Sequence, residues 1–96
     1  MATLWKTDGT SQVVTPKQGT EFTLAELKAF VGGYIEIVRL DEGSLMVVNE
    51  SGLLENLPLN NMGTQLYRQM AFRNTGRRCD DPVVGDVLVC SRTEVT

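Results

Sequence analysis

Four arginines, Arg68, Arg73, Arg77 and Arg78, fall within eleven residues that contain no acid. The whole chain has nine basic and twelve acidic residues, so the sequence outside this stretch is strongly acidic. A guanidinium is a rigid planar fork that grips phosphate or carboxylate through two hydrogen bonds. Asn74, Thr75 and Gly76 add small polar groups and approachable backbone N–H donors among the arginines. The chemistry open to such a segment is anion capture. A phosphate-bearing small ligand of nucleotide type would be held by Arg68, Arg73, Asn74, Arg77 and Arg78, with Tyr34 or Tyr67 stacked on its base. The opposing reading is a solvated segment whose arginines pair with Asp80, Asp81 and other surface acids, each exposed pair worth under about 1 kcal/mol.

Other chemistry finds little support. Histidine is absent, which removes the commonest general base, the Ser-His and Cys-His nucleophile pairs and every His-ligated metal site. Cys79 and Cys90 do not form a C-x-x-C pair, so zinc-ribbon and thioredoxin readings fail and reduced thiols are expected. The carboxylate clusters, Asp80-Asp81 with Asp86 and Asp41-Glu42, put neighbouring acids on diverging side chains that rarely share one cation. Gly32-Gly33 and Asn74-Thr75-Gly76 lack the glycine spacing of a nucleotide fingerprint, and no G-x-S-x-G elbow is present. No catalytic residue, metal or cofactor is expected, and the chain reads as a non-enzyme.

Ninety-six residues, 42% hydrophobic and 22% charged, fit one domain over residues 1–96 with a core of its own. A net charge of −3 argues against duplex nucleic acid and anionic membrane surfaces, both of which need a basic face. The apolar runs fall far below the ~18 residues that cross a bilayer. Residues 1–8 show no signal-peptide pattern, so a cytoplasmic location is expected.

The elements that must position these groups follow from local pattern. Short β-prone runs flank Asp8-Gly9, a strong hairpin signal. Thr23-Leu24-Ala25-Glu26 matches a capping box and predicts a two-turn helix from Thr23, with Leu24, Leu27, Phe30 and Val31 as its apolar face, ended by Gly32-Gly33. Residues 34–40 and 45–48 predict a second hairpin, leaving Glu36 at an edge or partly buried. The leucines from Leu53 to Leu59 are expected to seal the core, with Pro58 keeping the segment out of a helix. Asn60 or Asn61 caps a second helix carrying Met62, Leu66, Tyr67 and Met70, weakened at Gly63. Residues 71–82 read as a loop and Val83 to Cys90 as the last strand, bulged at Gly85. The order ββαββαβ predicts an α+β domain, a mainly antiparallel sheet of about five strands with two short helices packed on one side.

Val31-Gly32-Gly33-Tyr34-Ile35-Glu36-Ile37-Val38, Val47-Val48-Asn49-Glu50, Gly52-Leu53-Leu54, Leu57-Pro58-Leu59-Asn60 and the closing Val84-Gly85-Asp86-Val87-Leu88-Val89 together carry a resemblance. From about Leu24 onward the chain resembles the family called domain of unknown function 3846, with the N-terminal hairpin alike only in outline. The resemblance implies carriage by phages, conjugative plasmids and related mobile elements, often beside genes that counter host defence. It implies no catalytic residues. Arg73 to Arg78 look like an insertion relative to shorter members.

The expectation is therefore a binding protein that engages or inhibits a host protein serving defence. The alternative is a protein that sequesters a nucleotide-like anion through its arginines. A homodimer is also expected, with Leu45 to Val48 as the short edge that pairs.

Overall fold

The first two strands, β1 (Ala2–Trp5) and β2 (Ser11–Val14), pair antiparallel with Ala2 opposite Val14 and Trp5 opposite Ser11. The loop between them closes as Gly9 donates to Lys6 O at 3.1 Å and Lys6 donates to Thr10 O at 2.9 Å. Gly9 alone takes the left-handed conformation there, at φ 90°, and Asp8 instead accepts from the Thr10 N–H at 2.9 Å. These strands belong to a computed structural model that describes residues 2–17, 19–40, 43–52, 54–71 and 83–95.

Helix α1 (Leu24–Val31) starts where the capping box predicts. Thr23 Oγ1 accepts from the Glu26 N–H at 3.1 Å, and Glu26 Oε1 accepts from the Thr23 N–H at 3.1 Å, so two otherwise orphaned donors are satisfied reciprocally. That backbone bond, with help from the Lys17 N–H, holds the Glu26 carboxyl below the usual carboxylate range. The helix stops at Gly32, whose φ of 81° needs no Cβ and whose N–H donates to Lys28 O at 2.8 Å. The second hairpin is β3 (Ile35–Arg39) with β4 (Ser44–Asn49), registered with Ile37 opposite Val47.

Helix α2 (Asn61–Leu66) is capped by Asn60 and runs on as a π-helical turn over Tyr67–Ala71. The final strand β5 (Val87–Ser91) is shorter than the sequence pattern predicts, and a 3₁₀ turn at Arg92–Glu94 follows it. Val84 instead forms an isolated bridge with Leu59, and Gly85 turns the chain at φ 78° before the strand begins. The loop expected over residues 71–82 lies outside the described residues, Ala71 apart. The five strands form one antiparallel sheet in the order β2-β1-β5-β4-β3, and the element order ββαββαβ makes this an α+β fold.

Two expectations about packing are corrected. The helices lie on opposite faces of the sheet rather than on one side. Ala2, Leu4, Val47, Leu88 and Cys90 pack with Phe22, Leu27 and Val31 on the α1 face. Met46, Val48 and Val87 point the other way, into a cluster with Leu40 and Val83 that Trp5, Val38 and Tyr67 border. The second correction concerns the edge. Residues 45–48 belong to an interior strand, paired with β3 on one side and β5 on the other. Among the described residues the sheet edges are β2 and β3.

The leucine segment also differs from its reading. Leu57 is half-buried while Leu54 and Leu59 are exposed, and Leu53 lies outside the described residues. Gly63, expected only to weaken α2, is buried where a Cβ would come within 3.0 Å of Val83 Cγ1 and 3.2 Å of Asn60 Oδ1. The absent side chain is what lets the first turn of α2 close on Val83.

Asn60 is the polar centre of this packing, fully buried with every hydrogen-bonding group of its side chain used. Its Nδ2 donates to Trp5 O at 2.8 Å and Gly85 O at 2.9 Å, while its Oδ1 accepts from the Gly63 N–H at 2.8 Å. Thr64 Oγ1 donates to Asn60 O at 2.8 Å and accepts from the Val83 N–H at 2.9 Å. Three chain segments far apart in sequence are thus tied at one carboxamide.

Candidate functional site

Because α1 packs mainly over β4 and β5, strand β3 projects past the helix and a groove opens between them. The groove, about 360 Å³, is lined by Phe22, Leu24, Leu27, Ile35, Ile37 and Val95, with Glu21 and Thr23 at its mouth. Leu24 was expected in the apolar face of the helix but is 57% exposed, and Ile37 is 46% exposed. The helical repeat explains the first: Leu24 shares a flank with Lys28, four residues on, while Leu27 and Val31 point into the core. Strand alternation explains the second, since Ile35 and Ile37 share the α1 face and only Ile35 reaches the core cluster. Glu36 is exposed on the edge strand, the first of the two placements allowed by its sequence.

The backbone of β3 offers more than its side chains. Tyr34 O accepts from the Glu50 N–H at 2.9 Å, and the Leu40 N–H donates to Ser44 O at 3.1 Å, so the even-numbered residues face β4 in the ladder. By the alternation of antiparallel pairing, the N–H and C=O groups of Ile35, Ile37 and Arg39 point away from β4. Among the described residues no strand pairs with them.

At the Tyr34 end of β3 a second cleft, about 230 Å³, is lined by Lys28, Gly33, Tyr34, Asn49, Ser51 and Glu55. Tyr34 is 68% exposed, and the Lys28 ammonium stands 4.6 Å from its ring centroid. Asn49 walls this cleft as a structural residue. Its Nδ2 donates to Val31 O at 3.1 Å, tying the end of α1 to β4, and its Oδ1 accepts from the Ser51 N–H at 2.8 Å.

The residues singled out for anion capture are distributed unevenly. Tyr34 lies beside α1, whereas Tyr67 is half-buried against the cluster on the opposite face, so the structure does not bring the two rings together. Arg68 is exposed on the π-helical turn. Arg73, Asn74, Arg77 and Arg78 lie outside the described residues, as does Cys79. Cys90 is a free, buried thiol whose pKa is pushed up to about 11 by burial, with the Glu94 carboxylate adding to the shift. Native protein at pH 8 is therefore expected to leave Cys90 unalkylated by iodoacetamide, as peptide mapping would show, until denaturant is added. The linked stability is fully present below pH 9.0, the thiol's ordinary value, and is lost as pH rises from there through about 11.

Among the described residues no cluster of three or more Cys, Asp or Glu could hold a metal ion, and no helix is long and apolar enough to cross a membrane. The sequence pattern missed the groove because both of its exposed apolar residues, Leu24 and Ile37, look like core residues when each element is read alone. The chain matches no curated protein and no solved structure. A family model described as Domain of unknown function (DUF3846) matches residues 6–96, taking in the turn and second strand of the first hairpin, though not β1, as well as the stretch from Leu24, and the chain belongs to that family.

Proposed function

We propose that this protein is a non-enzymatic binding protein that seats apolar side chains of a partner protein in the groove between α1 and β3. The observation that carries this reading is the exposure of Leu24 and Ile37 around a groove otherwise walled by Phe22, Leu27, Ile35 and Val95. Contiguous exposed apolar surface on a small domain marks an interaction site more often than chance. Among the described residues the lining contains one charged side chain, Glu21, and no basic one, which suits aliphatic or aromatic side chains rather than a phosphate. The mobile-element setting implied by the family resemblance makes a host protein serving defence the expected partner.

Leu24→Asp tests this reading. An aspartate in the first turn of α1 suits the helix dipole, so the fold should persist while the groove acquires a charge. Immobilised wild-type protein is expected to retain a host protein that the variant loses by tenfold or more, quantified by mass spectrometry. Equal retention would remove the groove from the function.

One observation favours a second reading. The exposed Tyr34 ring beside the Lys28 ammonium could hold a small anionic ligand of nucleotide type. Heat denaturation of protein recovered from a nucleotide-signalling host would then release that nucleotide.

A further inference from the structure

The outward N–H and C=O groups of Ile35, Ile37 and Arg39 form a short, regular row beside the groove. An exposed row of this kind is a template for another strand. We infer that the occupant is β3 of a second copy, paired antiparallel about a two-fold axis through Ile37, so that each copy completes the groove of the other.

The register follows from the residues. Centred on Ile37, the axis sets Ile37 against Ile37 and Ile35 against Arg39, so every outward-facing residue of the strand exchanges both of its hydrogen bonds. Glu36 then stands opposite Val38, and no like charges are directly opposed. An axis through Glu36 would oppose two carboxylates, and one through Val38 would replace the isoleucine pair by Ile37 against Arg39. The central register alone uses the whole edge and sets the two exposed Ile37 side chains directly opposite each other on one sheet face.

A two-fold axis normal to the sheet keeps both copies of α1 on the same side. Since α1 lies mainly over β4 and β5, the joined β3 strands form the floor of a trough walled by the two helices. Ile37 of both copies lies at the centre of the floor, with Ile35 of one copy beside Arg39 of the other at either end, and Leu24 lines each wall. The groove of one chain is therefore half of a symmetric site. This deepens the reading above, because the partner protein would meet a trough that only the dimer supplies.

An interface of one strand edge and one isoleucine pair is small, so the dimer should be reversible. Sedimentation equilibrium is expected to show a mass rising with concentration toward twice the 10.6 kDa of the chain. Ile37→Pro removes an N–H that faces away from β4, a substitution an edge strand tolerates, and should hold the protein at monomer mass with its circular dichroism unchanged. Ile37→Lys gives the same result by charge and serves if the proline variant does not fold. In wild-type protein, amide exchange at Ile35, Ile37 and Arg39 should slow as concentration rises. A monomer at every soluble concentration, a dimer that survives in both folded variants, or exchange at these amides independent of concentration would each overturn the inference. Leu24→Asp separates the two proposals, because it leaves β3 pairing intact. A monomeric protein that still loses its host partner on Leu24→Asp would keep the groove and refute the dimer.

Discussion

Asn60→Ala is expected to destabilise the protein by about 3 kcal/mol, read as a shift in the urea midpoint without a change in slope. A simple N-cap loss costs about 1 kcal/mol. Here the same substitution also strips Trp5 O and Gly85 O of their carboxamide donor and leaves them facing a cavity closed off from bulk solvent. For a domain of this size the melting temperature should fall by on the order of 15 °C. Asn60→Asp separates the contributions. It keeps an acceptor for the Gly63 N–H but sets a carboxylate against two carbonyl oxygens, so it should be at least as damaging as alanine. A cost of only about 1 kcal/mol for alanine would mean that the carboxamide caps α2 and does nothing further.

Leu88→Ala should cost a similar amount, in the range of about 2–5 kcal/mol for a fully buried leucine. Leu88 is on the central strand, directly opposite Leu4 of β1 and Val47 of β4, and packs in the cluster beneath α1. Its neighbours are held by pairing on both sides, so they have little freedom to close the cavity, and the loss should fall in the upper part of that range. Leu54→Ala is the control. That side chain is almost fully exposed, and its removal should change stability by less than about 0.5 kcal/mol. Comparable effects at the two positions would contradict the placement of β5 at the centre.

The sequence made local signals legible and long-range ones obscure. The capping box at Thr23–Glu26, the Gly32 stop and the Asn60 cap each depend on a few adjacent residues, and all are present in the structure. The position of β4 depended on a partner forty residues away, and that hid its place in the interior. A clue was available, since Leu45 to Val48 and Val87 to Cys90 are unbroken apolar runs rather than alternating ones. Unbroken runs belong to strands covered on both faces, so they also indicated helices on opposite sides. The candidate groove was obscured for the same reason. The helical repeat sets Leu24 on the Lys28 flank of α1, but that this flank and Ile37 of β3 border one groove is a tertiary fact that spacing along either element does not contain.

The central place of β5 has a consequence for biosynthesis. The β1–β2 and β3–β4 hairpins can each form as soon as they leave the ribosome, but they join only through the strand made after both. Until then each hairpin has an inner edge without a neighbour and a face without a core, a state prone to mispairing and to capture by chaperones. Folding should therefore be late and abrupt, with the joining of N-terminal and C-terminal strands as its slow step.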